Sequence, residues 1–239
     1  MMAFRSMRRQ IYSSNLRIHH ASNYVYHMVN ISATAVLDDA WQLFQKQGAS
    51  LVVIILVYGL TAGALGLVIE YACSTEPLGL MLCGVVQFVV DTMLALGMYA
   101  VVIDVIAGRK AEVSRLFSKR SPTLIFHAVI GSLIVGLAIA LGLIFLIIPG
   151  IYFALRLQYF SVALIEQESP DFWAAIETSW KMTEGHVFGL LGVSLLSILV
   201  IMAGVLALFV GLFVAIPIVF LMNVLVYRQL QSRAGFSGV

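Results

Sequence analysis

Residues Val187–Tyr227 read VFGLLGVSLLSILVIMAGVLALFVGLFVAIPIVFLMNVLVY, 41 positions without one charged side chain. As a single helix this run would be about 60 Å long, twice the ~30 Å hydrocarbon core of a bilayer. It must therefore fold back, and the turn is expected between Ala203 and Gly211. Pro217 is expected to kink the returning half, because proline removes a donor from the helical ladder. A pair of membrane spans joined by a tight turn is the unit this stretch describes.

Working outward, the same pattern fills most of the chain. Sixty-one per cent of the 239 residues are hydrophobic and 11% are charged, against roughly 25% charged in soluble domains. Long uncharged runs carry the imbalance, so the fold class expected is all-α and polytopic. Six transmembrane helices are read near 51–69, 78–106, 124–148, 151–166, 187–205 and 208–227. They form a membrane domain over 33–230, followed by a tail at 231–239. The net charge of +2 gives no reason to expect nucleic acid. The basic residues act instead as topology signals. They gather in the N-terminal segment, in 108–123 (Arg109, Lys110, Arg115, Lys119, Arg120) and at Arg228 and Arg233. The positive-inside bias then places both termini on the cytoplasmic side, and six spans satisfy it where five do not.

Residues 1–32 form a basic extension that holds Arg5, Arg8, Arg9 and Arg17, with no acid before Asp38. Three readings stay open: a transit peptide, a flexible tail against anionic headgroups, and an upstream extension with Met28 as the true start. Cys73 and Cys83 flank the outer loop at 70–77. Two unrelated free thiols are the preferred reading, with a disulfide as the alternative.

Between Ala33 and Gln47, Val36, Leu37, Ala40, Trp41, Leu43 and Phe44 recur at helical spacing among polar residues. That is an amphipathic helix for the membrane interface, with Thr34 as its expected cap. Related segments precede the other two hairpins. Leu43–Leu51 aligns without gaps on Leu116–Leu124, and Asp39–Leu43 on Thr178–Met182. The unit is thus one interfacial helix plus a hairpin, used three times, and parallel repeats of this kind imply a threefold pseudo-axis along the membrane normal. Trp41, Trp173 and Trp180 are the expected interfacial anchors. Pro149 and Gly150 are the expected turn of the middle hairpin. Rows of small residues, Ser132/Gly136/Ala140 and Ala203/Ala207/Gly211, are expected to let helices approach closely.

Within the spans, Asp91 and Arg156 form the candidate intramembrane polar pair. A charge at mid-bilayer costs about 2.5–3.5 kcal/mol on insertion scales, so both must face protein or water. A structural ion pair (Asp91 or Glu70 with Arg156), snorkelling of Arg156, or a proton- or substrate-binding site would each explain them. Asp104 is expected to be solvated, and Gln87 and Asn223 to bond between helices. His127 and His186 have no metal-ligand spacing. No nucleophile elbow, phosphate loop or zinc motif occurs, so no catalytic residue, metal or cofactor is expected.

Ile148-Pro149-Gly150-Ile151-Tyr152, Arg156, Ala163-Leu164-Ile165, Glu168-Ser169-Pro170, Ala174-Ala175-Ile176, Ser179-Trp180 and Gly185 together resemble a group of bacterial six-span proteins. These are the YciC-like inner-membrane proteins and the membrane domain of some glycerophosphoryl diester phosphodiesterases. The likeness covers about 33–230 and is firmest over 148–186. It implies a six-helix bundle in the bacterial cytoplasmic membrane and no reaction, because the phosphodiesterase chemistry belongs to a separate domain. The function expected is a non-enzymatic scaffold or accessory protein, with a small-solute transporter using Asp91 and Arg156 as the alternative. The partners expected are the lipid bilayer and either a membrane protein or a second copy of the chain.

Overall fold

The computed structural model describes residues 32–73, 77–118 and 121–233. The basic extension, the Ser74–Glu76 loop centre, Lys119 and Arg120, and the last six residues lie outside the described residues. Nine helices occur among those described: α1 Ala33–Cys73, α2 Pro77–Ile106, α3 Val113–Leu116, α4 Pro122–Phe145, α5 Ile147–Leu157, α6 Phe160–Ile165, α7 Phe172–Met182, α8 Val187–Leu206 and α9 Leu212–Arg233. Six segments are long and apolar enough to cross a membrane, with α5 and α6 together making the fourth. The chain is an all-α polytopic membrane protein.

The spans form three hairpins, α1/α2, α4/α5–α6 and α8/α9, and their packing is cyclic. The first helix of each hairpin lies on the second helix of the preceding one: α1 on α9, α4 on α2, and α8 on α5. The second helices are accordingly the inner ones. Of their most apolar stretches 44, 50 and 44% is buried, against 11, 17 and 17% for the first helices. This inner and outer alternation is what a threefold repeat of one hairpin unit produces.

The interfacial segments are less regular than the spacing suggests. In the first unit Val36, Ala40 and Phe44 are buried and Trp41 stacks on Phe44, as an amphipathic helix requires. This helix runs into the span as one element, α1, broken only at Gln47, whose backbone leaves helical angles (φ −133°, ψ 19°). Thr34 sits inside the first turn and pairs with the Ser32 hydroxyl, so it is not the cap. The second unit keeps a single turn, α3, with Leu116 buried against Gly97. The third, α7, is capped by Asp171, whose carboxylate accepts from the Trp173 N–H at 2.9 Å. Ser121 caps α4 in the same way, accepting from Leu124, with Pro122 in the first turn where its missing N–H costs nothing.

Two turns and two small-residue rows need correction or refinement. The last hairpin turns at 207–211, inside the expected window. The middle hairpin does not turn at Pro149-Gly150. Its break is Leu146, with extended angles (φ −160°, ψ 137°), and Pro149 lies in the first turn of α5. Proline is tolerated there because that N–H has no intrahelical acceptor. Gly150 serves packing instead: a Cβ on Gly142 would stand 2.8 Å from the Gly150 Cα. Gly136 meets nothing within 4 Å, so the Ser132/Gly136/Ala140 row is not the contact. In the last hairpin the close pair is Gly204 with Gly211, and Ala203 and Ala207 are exposed. Cys83 is disulfide-bonded, which corrects the expectation of two unrelated free thiols.

Candidate functional site

Arg156 comes from the last turn of α5 and is 3% exposed. Its guanidinium lies over the Trp180 ring, 4.3 Å from the centroid, and 5.7 Å from that of Tyr152. Tyr152 and Trp180 meet edge to face at 5.8 Å, and Phe153 lies 6.0 Å from Trp180. The cation therefore sits in an aromatic cup between α5 and α7, where desolvation strengthens the ring's attraction. Its Nε is buried without a hydrogen-bond partner. Trp180 thus faces inward, contrary to its expected role as an anchor, whereas Trp41 and Trp173 remain exposed at 42% and 60%.

The backbone of Arg156 is held as well. Its carbonyl accepts from the Ser179 hydroxyl at 2.8 Å; the Thr183 hydroxyl also lies 3.4 Å from it, but its nearer acceptor is the Ser179 carbonyl at 2.8 Å. α5 ends one residue later, so this carbonyl belongs to the set that a helix terminus leaves without internal donors. At the start of α7, His127 of α4 accepts from the Phe172 N–H at 3.1 Å. α7 is thus fixed to α4 at one end and to α5 at the other.

Asp91 is not part of this arrangement. It lies on an exposed face of α2 and accepts from Gln87, one turn away in the same helix, at 2.8 Å. Tyr99 meets Phe220 and Tyr159 meets Tyr227 across the bundle. Counting helical rise from these levels puts Asp91 about 18 Å further than Arg156 towards the end of the bundle where α2 begins at Pro77. The two make no ion pair, and the expected pairing is corrected. The side chain of Glu70, its alternative partner, lies outside the described residues. Shallow surface depressions lined by Ala49, Val53 and Ala111, and by Leu37, Asp38 and Trp41, reach neither charge.

Other polar groups also depart from expectation. Asp104 is not solvated: its side chain is 13% exposed and is bridged by Arg109 and by Arg115, the latter at 2.9 Å. Gln87 bonds within α2, not between helices, and the Asn223 Oδ1 is buried without a partner. His186 lies 2.7 Å from the Glu184 carbonyl, and no group of three metal-ligating side chains occurs among the described residues.

The clamp at Gln47 left no signal in the sequence. At the break in α1 its amide donates to the Arg109 carbonyl at 2.8 Å and accepts from the Ala111 N–H at 2.6 Å. The first hairpin is thereby closed on its own connecting loop. No family model, curated protein or solved structure matches the chain.

Proposed function

We propose that this integral membrane protein is a non-enzymatic scaffold or accessory protein of a bacterial cytoplasmic membrane, related to the YciC-like proteins that its 148–186 segment resembles. Both termini are cytoplasmic in this reading. The charge bias supports that orientation, and so does the disulfide at Cys83, which sits towards the opposite end of α2, since disulfides persist on oxidising faces.

The observation that carries the proposal is the exposed carboxylate of Asp91. It shares the outer half of the first hairpin with exposed Leu60, Phe88 and Met93. Contact between a charge and acyl chains costs about 2.5–3.5 kcal/mol at the bilayer centre on insertion scales and less towards the interface, so at the level of Asp91 the cost is below that figure. A polar or cationic helix of a partner protein removes that cost. Arg156, sealed by aromatic rings, is a structural cation in this reading, and a transporter would need it and Asp91 in one cavity.

Photo-crosslinking from positions 88 and 93 in native membranes tests this. The expected result is a crosslink to a defined membrane protein that Asp91→Lys abolishes while the fold persists. Absence of any crosslink, together with loss of a solute-uptake phenotype in Asp91→Asn and Arg156→Gln, would favour the transporter.

A further inference from the structure

Four cations gather where the first span meets the loop that follows α2: Lys46, Arg109, Lys110 and Arg115. Two carboxylates, Asp104 and Glu112, stand against them. Asp104 takes both arginines, and the Glu112 carboxylate accepts from the Ser114 hydroxyl at 3.0 Å. Elsewhere Lys181 pairs with Glu177 and Arg228 with Glu166, each at 2.6 Å. Lys46 and Lys110 are exposed and meet no carboxylate among the described residues. The cluster keeps an excess of positive charge, and these two lysines are its unpaired members.

The Gln47 clamp brings the two lysines to one rim. Its amide bonds the Arg109 carbonyl and the Ala111 N–H, the backbone groups on either side of Lys110, and Lys46 is the residue before it. Beside this rim lies the depression lined by Ala49, Ser50, Val53, Ala111 and Val113. Lys46 precedes Ala49, Ser50 and Val53 at the spacing of one helix face, with the break at Gln47 between them. The face continues into the span as an apolar strip: Val53, Leu56 and Leu60 are 49, 40 and 72% exposed. Charge, hydroxyl and hydrocarbon thus follow one another along α1 in the order in which a phospholipid presents phosphate, glycerol ester and acyl chain.

We propose that this rim and strip bind an anionic phospholipid, its phosphate between the Lys46 and Lys110 ammonium groups and an acyl chain along Val53, Leu56 and Leu60. An ammonium is a compact, strongly hydrated charge with three rotatable donors, which suits a phosphate held at the water boundary. A zwitterionic lipid carries its own cation beside the phosphate and gains less from the two lysines. A free phosphate has the charge and nothing to lay on the apolar strip. In the orientation proposed above, the rim faces the leaflet whose anionic surface attracts Lys and Arg. The binding itself does not depend on that orientation.

Native mass spectrometry of the full chain in mild detergent, equilibrated with equal amounts of dioleoylphosphatidylglycerol and dioleoylphosphatidylcholine, tests this. The parent is expected to retain phosphatidylglycerol preferentially. The preference should fall about fivefold in Lys46→Gln or Lys110→Gln and about thirtyfold in both together, the equivalent of about 1 kcal/mol per lysine. It should return in Lys46→Arg combined with Lys110→Arg. Lys181→Gln, which removes an exposed charge on α7, should leave it unchanged, and inorganic phosphate in excess should not displace the lipid. An unchanged preference in the double Gln variant overturns the proposal. An equal loss in Lys181→Gln also overturns it, because the attraction is then diffuse. So does displacement by inorganic phosphate, since the strip then contributes nothing. Size-exclusion profiles matching the parent establish that each variant is folded.

Discussion

The Ser179 hydroxyl donates at 2.8 Å to the backbone carbonyl of Arg156, and the neighbouring Trp180 ring covers the Arg156 guanidinium. One residue pair on α7 thus engages both the main chain and the side chain of a single position on α5, although the Arg156 Nε keeps no hydrogen-bond partner. The middle hairpin and the third interfacial helix are joined at that point.

Removing Ser179 tests the main-chain half of the joint. Ser179→Ala leaves the carbonyl with only the longer Thr183 contact, at 3.4 Å. A loss of about 1 kcal/mol is expected, and about 1–3 kcal/mol when Thr183→Val is added and the buried carbonyl has no donor. Unfolding in mild detergent measures both. A double variant as stable as the parent would show that the carbonyl is satisfied elsewhere.

Removing Trp180 tests the side-chain half. Arg156→Gln and Trp180→Ala, alone and combined, form a double-mutant cycle, and a coupling of about 1–2 kcal/mol is expected for a desolvated cation over an indole ring. The exchange Asp91→Arg with Arg156→Asp is expected to rescue nothing, because these residues do not pair. Stability restored by the exchange would reinstate the ion pair.

The class of the fold was legible because length and charge decide it: a run such as Val187–Tyr227 has no arrangement other than a hairpin in a bilayer. The 207–211 turn was legible for the same reason. The turn at Leu146 was not, since Pro149-Gly150 is the stronger local signal and proline fits equally well in a turn or in the first turn of a helix. Which small residues touch was not legible either. Gly136 and Gly142 read alike along the chain, and only the path of α5 distinguishes them. Asp91 and Arg156 looked like a pair because sequence shows the rarity of a charge but not its level in the bundle. Gln47 gave no hint, because its partners on the far loop are backbone atoms, which carry no residue identity.

The Gln47 clamp predicts a local effect. Gln47→Leu removes the donor to Arg109 and the acceptor for Ala111. A cost of about 1–2 kcal/mol is expected, at 0.5–1.5 kcal/mol per hydrogen bond. The loop at 107–112 should open first, because those bonds hold it to α1. Faster proteolysis at Arg109 or Lys110 in Gln47→Leu, with the membrane spans intact, is the expected reading. Unchanged cleavage would mean that the Asp104 bridges to Arg109 and Arg115 suffice to hold the loop.

The glycines of α4 give the sharpest contrast, because two of them lie on one helix in opposite surroundings. At Gly142 an added Cβ would stand 2.8 Å from the Gly150 Cα and 3.0 Å from its nitrogen, both backbone atoms that cannot rotate away. At Gly136 nothing lies within 4 Å. Gly142→Ala should therefore push α4 and α5 apart and cost about 1–3 kcal/mol, as overpacking does. Gly136→Ala should be neutral or stabilising by up to about 1 kcal/mol, since alanine is the better helix former in an open position. The Gly-to-Ala change is the same in both substitutions, so the difference between them reports the close approach of α5, through the Gly150 backbone and the Phe153 ring, to Gly142. Equal unfolding midpoints for the two variants would mean that α4 and α5 are not in contact at Gly142, and the hairpin that ends at Leu146 would need a different register.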